Sequence, residues 1–385
     1  MTSDASSDSP STPGAPYVVI SGDTHGGAGV GAYRDYLDPE EREGFDEWRA
    51  AYANPSKKHI GGKKTKNWDS GQRAADLAGD GVVAEVIFPN TVPPFYETAF
   101  HVSPTAKREQ YTRWRAGTRA HNRWLADFCA DSPAPERHAG LALVAVVEDV
   151  AAAVEEIEWA RNAGLRGVIL RSQPISGPGW HHPRYEPIWE VCESLAMPIH
   201  THGGESLEYG DLPASRSIFF TEVCWFAHRI FWFLLWAGVF ERHPGLRLVL
   251  AEQFADWIPD LLHQLDAQYE GGVSDMTRPE GLTMRPSEYW ARQCSVGASF
   301  MSRRECERRH AIGVPNILWG SDFPHDEGTW PQTWASLHDT FDGVPEPELR
   351  AMLGENAARV YGFDRAKLAT HAARVGPSLE DFEGN

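Results

Sequence analysis

Eight side chains able to do acid–base or metal chemistry stand at the ends of short apolar runs. They are Asp23 and His25 in "DTH", Arg171 after "GVIL", His200 and His202 in "HTH", Glu252 after "LVLA", and Asp322 and His325 in "SDFPH". On an extended strand, residues two apart point the same way, so Asp23 pairs with His25, and His200 with His202 at a separation of about 6 to 7 Å. Taken singly, each has an ordinary explanation: an Asp at a strand end caps a turn or helix, a His is satisfied in the core, and Glu252 caps or salt-bridges the next helix. Taken together, imidazole nitrogens and carboxylate oxygens converging on one point suit a divalent zinc or manganese ion.

Such convergence needs strands that end on one face. Eight β-branched, apolar runs satisfy that: 17–25, 81–90, 140–147, 165–173, 197–204, 246–252, 292–299 and 316–325. Helical patterns lie between them, such as the stretch that begins "VEDVAAAVEEIEWARNAG", with apolar residues at helical spacing and a closing glycine. This alternation predicts a parallel (βα)8 barrel, a TIM barrel, whose chemistry sits at the C-terminal strand ends. An open dinucleotide-binding sheet is disfavoured because no G-x-G-x-x-G follows the first run. Residues 26–72 form a long, charged insertion after strand one, expected to act as a loop or lid over the site.

Composition narrows the partners. The 385 residues carry a formal charge of −18, which argues against nucleic acid and anionic membrane surfaces. Five cysteines without a C-x-x-C pair suggest neither a disulfide framework nor a cysteine zinc site, and a reducing cytoplasm fits. Residues 1–16 are Ser/Pro/Asp-rich and read as a disordered lead, leaving 17–385 as one domain. The apolar stretch 223–240 is broken by His228 and Arg229, and its uninterrupted part is shorter than the roughly 20 residues a membrane span needs. A buried or interfacial helix is expected there.

The motifs "DTH", "PIHTHGG", "ERHPGLRLVLAE", "LWGSDFPH" and "GENAARVYGF" together resemble the amidohydrolase-related family that includes aminocarboxymuconate-semialdehyde, γ-resorcylate and 5-carboxyvanillate decarboxylases. The resemblance runs from about Tyr17 to Phe363. It implies a (βα)8 barrel with one divalent metal, zinc first and manganese as the alternative, held by Asp23, His25, His202 and Asp322. His202 rather than His200 is implied because the strand-five ligand in relatives lies four residues after a proline, here Pro198; His200 then lies deeper and supports a ligand or fills the core. Relatives with two metals bridge them with a carbamylated lysine at the end of strand four. Arg171 stands there in this chain, so one metal is implied.

A second departure bears on the reaction. The decarboxylases carry a catalytic histidine at the end of strand six, where this chain has Glu252. A third carboxylate beside Asp23 and Asp322 would repel an anionic substrate unless Arg171 or Arg229 offsets it, since unit charges 4 Å apart interact by about 4 kcal/mol at an effective dielectric of 20. The leading expectation is therefore a mononuclear metal-dependent hydrolase of a small amide, ester or lactone, with Asp322 or Glu252 taking a proton from activated water. Non-oxidative decarboxylation of an aromatic or enoic acid is the alternative, and a catalytically silent binding barrel the third reading. His228 is a candidate stand-in for the absent histidine, and His325 a neighbour of Asp322 facing substrate. Trp48, Trp68 and Trp180 are candidate pocket walls. The partner is expected to be a small molecule, and the chain a homodimer with "FWFLLW" as an apolar interface.

Overall fold

The structure, a computed structural model, describes residues 14–52, 64–103, 107–204, 209–210, 212–271 and 281–378. Its eight strands are β1 (Ile20–Gly26), β2 (Ala84–Pro89), β3 (His138–Leu143), β4 (Gly167–Ile169), β5 (Ile199–Thr201), β6 (Leu248–Ala251), β7 (Cys294–Ser299) and β8 (Ile317–Gly320). Each pairs in parallel with the next. The ring closes through Asp322 N–H donating to Asp23 O at 2.9 Å and His25 N–H to Phe323 O at 2.6 Å. This is the (βα)8 barrel that the alternating pattern predicts, and its strands are buried on both faces, as near-continuous apolar runs require.

Two local features aim the first strand. The β1–β2 register shifts between Ser21 and Thr24, and such irregularities re-aim side chains. Across the seam, Gly320 leaves room for Asp23: a Cβ at 320 would lie 2.9 Å from the Asp23 Cβ. Under β1 runs a buried ion network. Glu85 accepts from Arg73, from Thr24 Oγ1 (2.8 Å) and from His138 Nδ1 (2.9 Å), while Arg73 also donates to the carbonyl of His25 at 2.6 Å.

The insertion after β1 is more structured than a loop. It holds a 3-10 turn at Val30–Tyr36, a helix at Arg42–Ala51 and a turn at Lys64–Asn67; residues 53–63 lie outside the described residues. Most of the expected disordered lead, residues 1–13, lies outside them too. The insertion is tied to the barrel where Gly27 N–H donates to Asn67 O at 3.0 Å. The helix predicted from the 150s spans Val150–Asn162, and the Asp149 carboxylate caps it by accepting from the Ala151 and Ala152 amides.

The apolar stretch after β5 departs from expectation. It forms helices Ser215–Ala227 and Arg229–Trp236, and by length and composition the combined 22 residues, with mean hydropathy 1.4, are long and apolar enough to cross a membrane; 33% of that window is buried. In the "FWFLLW" segment Phe231, Leu234 and Leu235 are core residues and Trp232, Phe233 and Trp236 are half-buried, while the exposed apolar side chains Ile218, Phe220 and Trp225 belong to the preceding helix. Trp180, expected to wall a pocket, is also buried, its indole donating to Arg171 O.

Candidate metal and acid–base centre

Asp23, His25, His202 and Glu252 come from the C-terminal ends of β1, β5 and β6, and one ligand atom from each lies within 4.8 Å of all the others. His25 Nε2 is 3.3 Å from Asp23 Oδ1, 3.0 Å from Asp322 Oδ1 and 3.9 Å from Glu252 Oε2. His202 Nε2 is 2.9 Å from Glu252 Oε2 and 3.6 Å from Asp23 Oδ1. His325 stacks on His25 at 4.0 Å between centroids and meets Asp322 Oδ1 through Nδ1 at 2.8 Å. Six of the eight strand-end side chains thus gather at one place.

The backbone is shaped for this. Glu252 and Asp322 adopt φ of +53° and +57°, in the left-handed region that costs a side-chain-bearing residue about 1 to 3 kcal/mol. That conformation turns both carboxylates into the ring. The ordinary alternative for Glu252 does not hold, because the following helix Ile258–Tyr269 has no side-chain cap and the Glu252 carboxylate goes to His202 instead. His25 Nδ1 faces the Pro89 carbonyl at 3.3 Å, so that nitrogen carries the hydrogen and Nε2 is presented to the centre. Asp23 Oδ2 accepts from Ser299 Oγ at 2.5 Å, leaving Oδ1 for the same point.

Charge follows from this crowding. Burial alone would raise Asp23, but His25 and His202 hold it far below the usual carboxylate range. Burial would lower the histidines, yet Asp23 and Asp322 push His25 well above its ordinary value, and Glu252 and Asp23 push His202 up to about 9. Three carboxylates facing two imidazoles demand positive charge, from protons on the histidines or from a cation. Donor chemistry favours the cation: Asp23 Oδ1, His25 Nε2, His202 Nε2 and Asp322 Oδ2 are buried without a hydrogen-bond partner. Buried polar atoms are otherwise almost always paired, so the donor set fits a divalent metal.

Three sequence-derived candidates stand elsewhere, and a fourth, Arg171, borders the cluster without joining it. His200 is fully buried beneath the centre, Nδ1 on Val168 O (3.0 Å) and Nε2 on the Tyr361 hydroxyl (2.9 Å), and burial lowers it to about 4, so it is a core histidine. His228 is sandwiched among tryptophans, stacked on Trp257 at 4.0 Å, and does not join the strand-end cluster. Arg229 begins the following helix, and its guanidinium lies over the Phe226 ring at 4.3 Å. Arg171 is buried at the end of β4 and donates to Ser103 O at 2.5 Å.

Sequence reasoning missed three contributors: Ser299 on Asp23, Asn90 on His325 and His101 beside His202. Ser299 and Asn90 also stand at or just beyond strand ends, a position that could have flagged them; His101 lies in a loop with no repeated pattern to mark it.

An amidohydrolase family model matches residues 70–363, and the chain belongs to that family. It is an enzyme of the family. A γ-resorcylate decarboxylase from Rhodococcus jostii (strain RHA1) is 26% identical over 267 residues, covering 64% of this chain and 77% of that protein. The 5-carboxyvanillate decarboxylase of Sphingomonas paucimobilis superposes with a TM-score of 0.66 at 21% identity, over 90% of this chain and 99% of that one. A dihydroxybenzoic acid decarboxylase from Polaromonas sp. JS666, solved with manganese and the inhibitor 2-nitroresorcinol, superposes with a TM-score of 0.62 at 17% identity, over 91% and 99%.

Proposed function

We propose that this chain is a metal-dependent non-oxidative decarboxylase of a hydroxylated aromatic acid. This reverses the order of the two sequence expectations, and the likeness to the γ-resorcylate decarboxylase supports it. The structural observation that carries it is Arg171. An anionic centre accepts a carboxylate substrate if a buried cation lies near, and this guanidinium is buried at the end of β4 against the carbonyl of Ser103, two residues from His101, which packs on His202.

Asp23, His25, His202 and Asp322 would hold the metal, with Glu252 in reach of the same point. When bound, the ion supplies a Lewis-acid anchor for the substrate's carboxylate and an adjacent phenolic oxygen. Manganese is proposed ahead of zinc, because with Glu252 in reach three carboxylates face two imidazoles and a manganese-bound decarboxylase shares the fold. Asp322 and His325 hold the transferable proton between Oδ1 and Nδ1. Asp322 delivers it to the ring carbon that bears the carboxylate; the C–C bond then breaks, its electron pair restores the ring, and neutral CO2 leaves.

The test is a panel of ortho-hydroxylated benzoic acids, 2,6-dihydroxybenzoate included, incubated with manganese-loaded protein and assayed for CO2 and the phenol. Release of both in equal amounts is the expected result. Hydrolysis is the second reading, favoured by Glu252 as a third carboxylate at the centre, which suits a neutral substrate. Turnover of amides, esters or lactones without CO2 from any acid would establish it instead.

A further inference from the structure

The loop after β2 brings one more imidazole to the centre. The half-buried His101 ring packs 5.2 Å from that of His202, and His25, Arg171 and His325 are the other ionisable groups within electrostatic reach of it. Its place is made by a missing side chain: a Cβ on Gly203 would lie 2.3 Å from His101 Cδ2. The loop is pinned by Ser103, whose hydroxyl donates to Thr98 O and Ala99 O (3.1 and 3.0 Å) and whose carbonyl accepts from Arg171. Among the described residues, no group hydrogen-bonds either nitrogen of the His101 ring. An imidazole that packs on His202 and spends neither nitrogen on the described fold is available to a ligand.

We propose that His101 is a substrate-binding residue, its ring N–H donating to an oxygen of the anionic hydroxylated ring held against the centre, with Arg171 fixing the loop that carries it. An imidazole has at least one N–H in either charge state, so the contact does not depend on its titration. The ligand class rests on the decarboxylase reading; the contact itself is tested by binding, without turnover.

The probe is 2-nitroresorcinol, titrated into manganese-loaded protein and followed by its absorbance. His101→Phe keeps a flat ring and removes the donor; it is expected to weaken binding about 10- to 100-fold, the loss of one hydrogen bond to a charged group. His101→Asn restores a donor and is expected to recover most of the affinity, and all forms should retain manganese at the wild-type level. Where His101→Phe fails to fold, His101→Ala with and without added imidazole makes the same comparison. Equal affinity of His101→Phe and wild type, manganese lost in step with affinity, or no binding to wild type would each overturn the proposal. Binding that follows the expected pattern without CO2 release from any acid would sink the decarboxylase reading and leave His101 as a ligand contact.

Discussion

Asp322 Oδ1 and His325 Nδ1 stand 2.8 Å apart, and the other ring nitrogen, Nε2, meets Asn90 Oδ1 at 3.0 Å. Asn90 Nδ2 donates to Asn67 Oδ1 at 2.7 Å, so Asn90 Oδ1 is the acceptor and His325 Nε2 carries a hydrogen. Nδ1 is then the atom that exchanges a proton with Asp322. His325→Phe should lower kcat by about 10²-fold or more, the lower range for a positioned acid–base group, with bound metal retained. Turnover within threefold of wild type at full metal content would contradict this exchange.

The strand-five histidines should separate cleanly. His202→Asn is expected to lose most of the metal, because His202 Nε2 faces the carboxylates, whereas His200→Asn should keep it and lose about 1 to 3 kcal/mol of stability from the broken Val168 and Tyr361 bonds. Metal analysis of the two purified variants, with thermal unfolding, measures both effects. Equal metal loss from the two would refute the distinction.

Metal uptake should release protons. Without a cation, His202 is pushed up to about 9 and therefore carries its proton at neutral pH. A metal must displace that proton, so apparent affinity should rise from pH 6 towards about 9 and then level off. Calorimetry in buffers of differing ionisation enthalpy reads the proton number directly; an affinity flat across this range rules the linkage out.

The Arg73–Glu85–His138 network should govern acid stability. Burial would raise the Glu85 carboxyl, but Arg73 and His138 hold it far below the usual range. Its contribution is complete above the unfolded-state value, roughly 4.3, and fades as pH falls towards the lower folded-state value. Glu85→Gln leaves the Arg73 charge buried and should cost about 3 to 5 kcal/mol at neutral pH, measured by urea unfolding, with a flatter acid limb than wild type. A variant as stable as wild type at neutral pH counts against the network's role.

Much of this molecule was legible before any coordinate. Strands buried on both faces declare themselves as continuous apolar runs, and a polar residue that ends such a run falls on the functional face; that is how Asp23, His25, His202, Glu252 and Asp322 were found. His200 and His202 could be told apart only through the family resemblance, and the Tyr361 hydroxyl beneath His200 supplies the physical reason. For His228 and Arg229 the sequence is silent on placement, because the apolar helices around them give no sign of which side faces the barrel. His101 escaped notice because its placement depends on a gap at Gly203, and an absent side chain leaves no mark in a linear pattern.

The seam between β1 and β8 joins the two ends of the barrel. Asp23 and His25 stand on one side and Asp322 on the other, and between them the backbone exchanges the bonds Asp322 N–H to Asp23 O and His25 N–H to Phe323 O. A cation gripped by all three would clasp the first and last strands across about 300 residues of chain. Catalytic competence and ring closure would then report on the same event, because an opened seam scatters the donors.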